Sequence, residues 1–174
     1  MNVKAVFPGT FDPIHYGHIN IALRAAKLFY PVIVAVYDKP LKDLLFSPEE
    51  RIALAKETFK DNPNIEVMAY SGLTVDFCEK IGAQVLVRGL RVFSDFEHEF
   101  RIALANQRLN PAIEMISFIT NEQHTFLSSS TVKEIASLNG DISTMAPPHV
   151  GIALKEKFTN LDLLQTKNIN SLKD

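Results

Sequence analysis

His15 and His18 stand three residues apart where a helical pattern begins, inside the string Pro8-Gly9-Thr10-Phe11-Asp12-Pro13-Ile14-His15-Tyr16-Gly17-His18. Side chains three apart on a helix share one side of the turn. Gly17 between them carries no side chain that would block an incoming group. A helix N-terminus offers free N–H groups and the positive end of the dipole, which suits phosphate. Two imidazoles add directed donors, so this is chemistry of the phosphoryl kind. The residues after the later apolar runs fit it. Lys39 and Lys42 follow the second. Ser71, Gly72 and Thr74 follow the third, and Arg88-Gly89-Leu90-Arg91 the fourth. His124 and Ser128-Ser129-Ser130 follow the fifth. Guanidinium forks match phosphate oxygens. One helix cap needs one serine, so three in a row suggest that hydroxyls and free N–H groups also hold an anion.

These residues need a frame that brings them to one edge. Short Val- and Ile-rich runs at 3–7, 32–37, 65–68, 85–87 and 115–119 read as strands covered on both faces. Helical patterns lie between them. The first covers about 18–30. The second opens on Ser47-Pro48-Glu49-Glu50, a cap, a first-turn proline and a Glu that closes a capping box. The third is near 73–81, with Leu73, Phe77 and Ile81 facing inward. The fourth opens with Ser94 to Glu97 as a further box and a stripe of Phe96, Phe100, Ala103 and Leu104. A fifth carries Thr131 and Glu134 as a capping pair and ends at Asn139-Gly140. A last helix covers roughly 148–158. Alternating strands and helices predict an α/β, Rossmann-like, doubly wound five-stranded parallel sheet with C-terminal helices. Its ligand sits beyond the carboxyl ends of the strands, where strand order reverses. The expected organisation is a single domain over 1–158 and a polar tail over 159–174.

Composition sets the outer limits. In 174 residues, 47% are hydrophobic and 22% charged, as in an ordinary globular protein. A net charge of −2 gives no general reason to expect nucleic acid or an anionic membrane. The one cysteine, Cys78, excludes an internal disulfide and reads as packing. With no signal-like start and no run long enough to span a bilayer, a cytoplasmic enzyme is expected.

The HxGH pattern of His15-Tyr16-Gly17-His18 resembles that of the nucleotidylyltransferases. The fuller Pro8–His18 string, Arg88-Gly89-Leu90-Arg91 with Asp95-Phe96-Glu97, and the triple serine with Val132-Lys133-Glu134 resemble bacterial phosphopantetheine adenylyltransferases. The resemblance covers about residues 1–158. It implies transfer of the adenylyl group of ATP to 4′-phosphopantetheine, giving dephospho-coenzyme A and pyrophosphate by direct in-line attack. By the same resemblance Thr10 and His18 handle phosphates at the reacting centre, and Lys42 and Arg91 complete the catalytic set. The ATP site is implied to comprise Thr10, Phe11, His18, Gly89, Leu90, Arg91, Glu99, His124, Thr125, Phe126, Leu127, Ser128, Ser129 and Ser130. Thr10, Lys42, Thr74 and Arg88 are implied to contact phosphopantetheine. Magnesium is expected to arrive mainly on the ATP phosphates, with no protein metal site, and the assembly is expected to be a homohexamer. Relatives often carry Thr at position 15 and Trp at position 124. The alternatives are a sister enzyme acting on nicotinate mononucleotide or glycerol phosphate, and a nucleotide sensor without turnover.

Overall fold

The computed structural model describes residues 3–39 and 43–171. Lys42 lies outside the described residues. The elements run β1 (Ala5–Gly9), α1 (Tyr16–Ala25), β2 (Val32–Tyr37), α2 (Pro48–Phe59), β3 (Ile65–Tyr70), α3 (Thr74–Lys80), β4 (Val85–Leu90), α4 (Phe93–Leu109) and β5 (Glu114–Ile119). A single 3₁₀ turn at Glu122–His124, α5 (Ser129–Ser137) and α6 (Pro148–Ser171) complete them.

Every strand pair is parallel, in the order β3-β2-β1-β4-β5. The chain winds outward from β1 to β3, returns across the sheet, and winds outward again through β4 and β5. Strand order therefore reverses between β1 and β4, and a crevice opens at their carboxyl ends. Alternate side chains point to opposite faces. Phe7, Val32, Val34, Val36, Val85 and Val87 pack with Ile21, Ala22, Ala55, Val132, Val150 and Leu154 on one side. Val6, Ile33, Ala35 and Leu86 pack with Tyr70, Cys78 and Ile113 on the other. Cys78 is buried, and burial pushes its thiol up to about 11, as befits a packing residue.

Cover on both faces holds for the three central strands but not for the edges. Residues 66, 68 and 69 of β3 and Ile119 of β5 are exposed, because an edge strand lacks one neighbour. Helix boundaries also differ from the sequence reading. The first helix starts at Tyr16, not 18, because His15 caps it. It stops at Ala25, with Ala26 as its cap residue, short of Pro31. Leu73 is the α3 cap residue and is exposed rather than inward. The Ser47–Glu50 capping box of α2 forms as expected. In α4 it does not: Val92 is the cap residue without a side-chain bond, and Asp95 instead reaches back to the Arg91 N–H. In α5 the cap is Ser128, whose Oγ accepts the Thr131 N–H at 3.0 Å, not the Thr131–Glu134 pair. The helix does end at Asn139-Gly140, with Asn139 at φ 57° and Gly140 N–H donating to Ile135 O. Helix α6 runs to Ser171 rather than stopping near 158; no glycine or proline follows residue 151 to break it.

Candidate active site

A cavity of about 460 Å³ occupies the β1/β4 crevice. The loop after β1, the start of α1, the end of β4, the first turns of α4 and the serine-led start of α5 all open onto it.

At its floor the two histidines cap α1 reciprocally. His15 Nδ1 accepts the Gly17 N–H at 3.1 Å, and His18 Nδ1 accepts the His15 N–H at 3.3 Å. An Nδ1 that accepts is unprotonated, so a neutral ring carries its hydrogen on Nε2 as a donor. The rings stack with centroids 3.7 Å apart. Although partly exposed by surface, His18 is hemmed in by Phe7, Phe11 and His15. Burial lowers the His15 pKa to about 3, helped by the positive charge of Arg91. Burial also holds His18 well below the usual imidazole range, reinforced by His15, Arg91 and Arg88. Both rings are therefore neutral donors at pH 7. The role of Gly17 differs from the open approach expected. A Cβ there would lie 2.9 Å from Cε1 of the His15 ring, so glycine makes room for the capping imidazole itself.

Each of three cavity cations is braced by its own carboxylate. Arg88 grips Glu99 with two bonds of 2.6 and 2.7 Å and also reaches Pro8 O. Arg91 pairs with Asp95 at 3.1 Å and donates to Leu127 O at 2.8 Å. Lys133 donates to Asp12 at 2.6 Å. Asp12 also accepts the N–H groups of Leu45 and Phe46. It thus ties the β1 loop to the loop after β2 rather than to its own turn. The serines divide the work expected of them. Ser128 caps α5, Ser129 donates to Pro13 O at 2.9 Å, and Ser130 is exposed to the cavity. The array offers directed donors around a polyanion and has no nucleophile paired with a base.

Residues 6–135 match the cytidylyltransferase-like family. A phosphopantetheine adenylyltransferase of Roseiflexus sp. (strain RS-1) is 51% identical over 154 residues, covering 88% of this chain and 96% of that protein. The enzyme of the same name from Staphylococcus haemolyticus is 49% identical over 155 residues, covering 89% and 96%. This chain belongs to the phosphopantetheine adenylyltransferase family. A solved structure from Vibrio parahaemolyticus, described as a nicotinate-nucleotide adenylyltransferase, superposes with a TM-score of 0.66. It covers 88% of this chain and 99% of its own at 19% identity, which speaks for a shared fold.

Of the residues the family resemblance names, Thr10, Phe11, His18, Arg88, Gly89, Arg91, Glu99, Ser128, Ser129 and Ser130 line the cavity. Thr74, Leu90, His124, Thr125, Phe126 and Leu127 lie outside its lining. Leu127 is fully buried and offers only its carbonyl to Arg91. His124 stacks loosely on Tyr16, with its Nδ1 buried and without a partner among the described residues. Thr74 bonds the Tyr70 hydroxyl at 3.1 Å, at the start of α3. Lys39 is exposed on the loop after β2. Sequence reasoning passed over His98 and Lys133, which line the cavity, and the buried Arg51. Lys133 stood in the motif that follows the serines; nothing in local pattern marked the other two.

Proposed function

We propose that this chain transfers the adenylyl group of ATP to 4′-phosphopantetheine and releases pyrophosphate, by the following assignment of roles. The carrying observation is the meeting of the neutral histidine pair, the arginines and the serine-led α5 in one cavity where strand order reverses. The attacking group is a phosphate monoester with a second pKa of about 6, so at neutral pH it is already a nucleophile. Positioning and charge stabilisation are then what the protein must supply. The Nε2–H of His18 donates to the α-phosphate as charge develops there. Thr10 and Lys42 orient the incoming phosphate, and Arg88, aimed by Glu99, holds the same substrate. Arg91 and the start of α5 take the β- and γ-phosphates. Thr74 contacts the pantetheine arm, and Gly89, His124 and the turn that follows it bound the nucleotide.

Magnesium enters on the triphosphate in this reading. The cavity carboxylates Asp12, Asp95 and Glu99 are each engaged by a cation, and no cluster of three metal-binding side chains occurs among the described residues. That donor set fits an ion held by substrate oxygens and water. Bound there, the ion would neutralise charge on the leaving pyrophosphate.

A homohexamer in the cytoplasm completes the reading. Its support is α4. Phe93, Phe96, Phe100 and Leu104 are exposed, and three of the rings stack at 6.4 and 6.0 Å. The apolar stripe faces outward, as a contact between copies would require. No helix among the described residues is long and apolar enough to cross a membrane.

The test is pyrophosphate release with a panel of acceptors. Turnover with 4′-phosphopantetheine is expected, and turnover only with a pyridine nucleotide overturns the assignment.

A further inference from the structure

Arg51 is 1% exposed, the most completely buried charged side chain among the described residues. A guanidinium buried without good partners is costly, and its partners here are backbone carbonyls. Nη1 donates to Thr10 O at 2.8 Å and to Tyr37 O at 2.6 Å, and Nη2 reaches Asp38 O at 3.4 Å. Nε has no partner. These carbonyls sit at a defined place. Backbone pairing between β1 and β2 stops at Gly9 and Val36. Thr10 and Tyr37 are the next residue on each side, where β1 gives way to its loop while β2 still pairs with β3 at Tyr70. A side chain from α2 thus extends the ladder one step past its last backbone rung. A second tie runs the opposite way, from Asp12 to the N–H groups of Leu45 and Phe46. Arg51 itself stands in the first turn after the Ser47–Glu50 cap, and Lys157 of α6 grips Glu50 at 2.7 Å, so the base of the staple is braced from outside.

We propose that Arg51 is a positioning residue of the reaction: by holding the Thr10 and Tyr37 carbonyls on one nitrogen, it fixes the Thr10 hydroxyl and the exit of the loop after β2 relative to each other. This rests on the reading that Thr10 touches the reacting phosphates. Fixing the Thr10 peptide fixes its side chain at the cavity wall, where displacement by about 1 Å costs on the order of 100-fold in rate.

The test is a kinetic double-mutant cycle in the full chain, with folding checked by circular dichroism. Arg51→Met is expected to lower kcat about 10- to 100-fold and to leave the KM for ATP within about threefold, since the triphosphate donors of Arg91 and α5 lie elsewhere. In a Thr10→Ala background the same substitution should add less than about threefold, because groups acting through one another are not additive. Wild-type kcat in folded Arg51→Met, or a loss that persists in full beside Thr10→Ala, overturns the proposal. If Arg51→Met does not fold, Arg51→Lys carries the same cycle under the same two criteria. Wild-type kcat in Thr10→Ala alone overturns instead the reading on which the proposal rests.

Discussion

The backbone N–H of His15 donates to Nδ1 of His18 at 3.3 Å, so the first histidine fixes which nitrogen of the second faces outward as a donor. A capping box usually pairs a hydroxyl with a carboxylate. Here two imidazoles make it, and the cap and the phosphate donor are one group. Replacing His18 with Ala should therefore cost kcat about 100- to 1,000-fold, the usual loss for one preorganised donor at a developing charge. It should cost stability only about 1 kcal/mol for the cap. Pyrophosphate release and thermal unfolding measured side by side check both numbers.

Stability should fall on mild acidification. The folded pKa of His15 is about 3, against 6.5 for an unperturbed imidazole. Between those values the unfolded chain binds the proton first. The contribution of the neutral, buried ring is thus complete above pH 6.5 and is lost as pH falls toward 3, by on the order of a few kcal/mol in all. Denaturation midpoints from pH 7.5 to 5, before most carboxylates titrate, should drop in the wild type and stay flatter in His15→Asn. Parallel curves would refute the assignment.

The three serines should separate in experiment. Ser128→Ala removes the α5 cap and should cost about 1 kcal/mol of stability. Ser130→Ala touches an exposed hydroxyl and should leave stability within about 0.5 kcal/mol. It should raise the KM for ATP severalfold. The pair of measurements, midpoint and KM, should move in opposite patterns for the two variants.

Glu99 lies behind Arg88, away from any reacting atom in the proposed scheme. Glu99→Gln keeps the shape but loses the charge-assisted fork. The KM for phosphopantetheine should rise about 10-fold, with kcat changed less. Titration of initial rates against each substrate in turn distinguishes this from a loss at the nucleotide.

Much of this site is legible in the sequence alone. The strand-loop-helix at 5–25, the winding of the sheet and the gathering of Thr10, His18, Arg88, Arg91 and the serines follow from local pattern and one rule about strand ends. Pairing between distant residues was not visible. Asp12 and Lys133 are 121 positions apart, and Arg51 looks like any helix-surface arginine until β1 and β2 converge above it. Glu99 is placed at the site by the family resemblance alone, for the same reason. The α4 stripe was legible as apolar, but periodicity cannot say whether a helix faces its own core or a neighbour.

The one-to-one matching of Lys133, Arg88 and Arg91 with Asp12, Glu99 and Asp95 has a kinetic consequence. With both imidazoles uncharged, these groups sum to no net charge, so a polyanion beyond a Debye length of about 10 Å in 0.1 M salt feels little pull from them. Their attraction acts only once phosphate oxygens are close enough to share the guanidinium and ammonium hydrogens. Nucleotide capture should then proceed at an association rate nearly indifferent to ionic strength, with discrimination concentrated in how slowly the fitted ligand leaves.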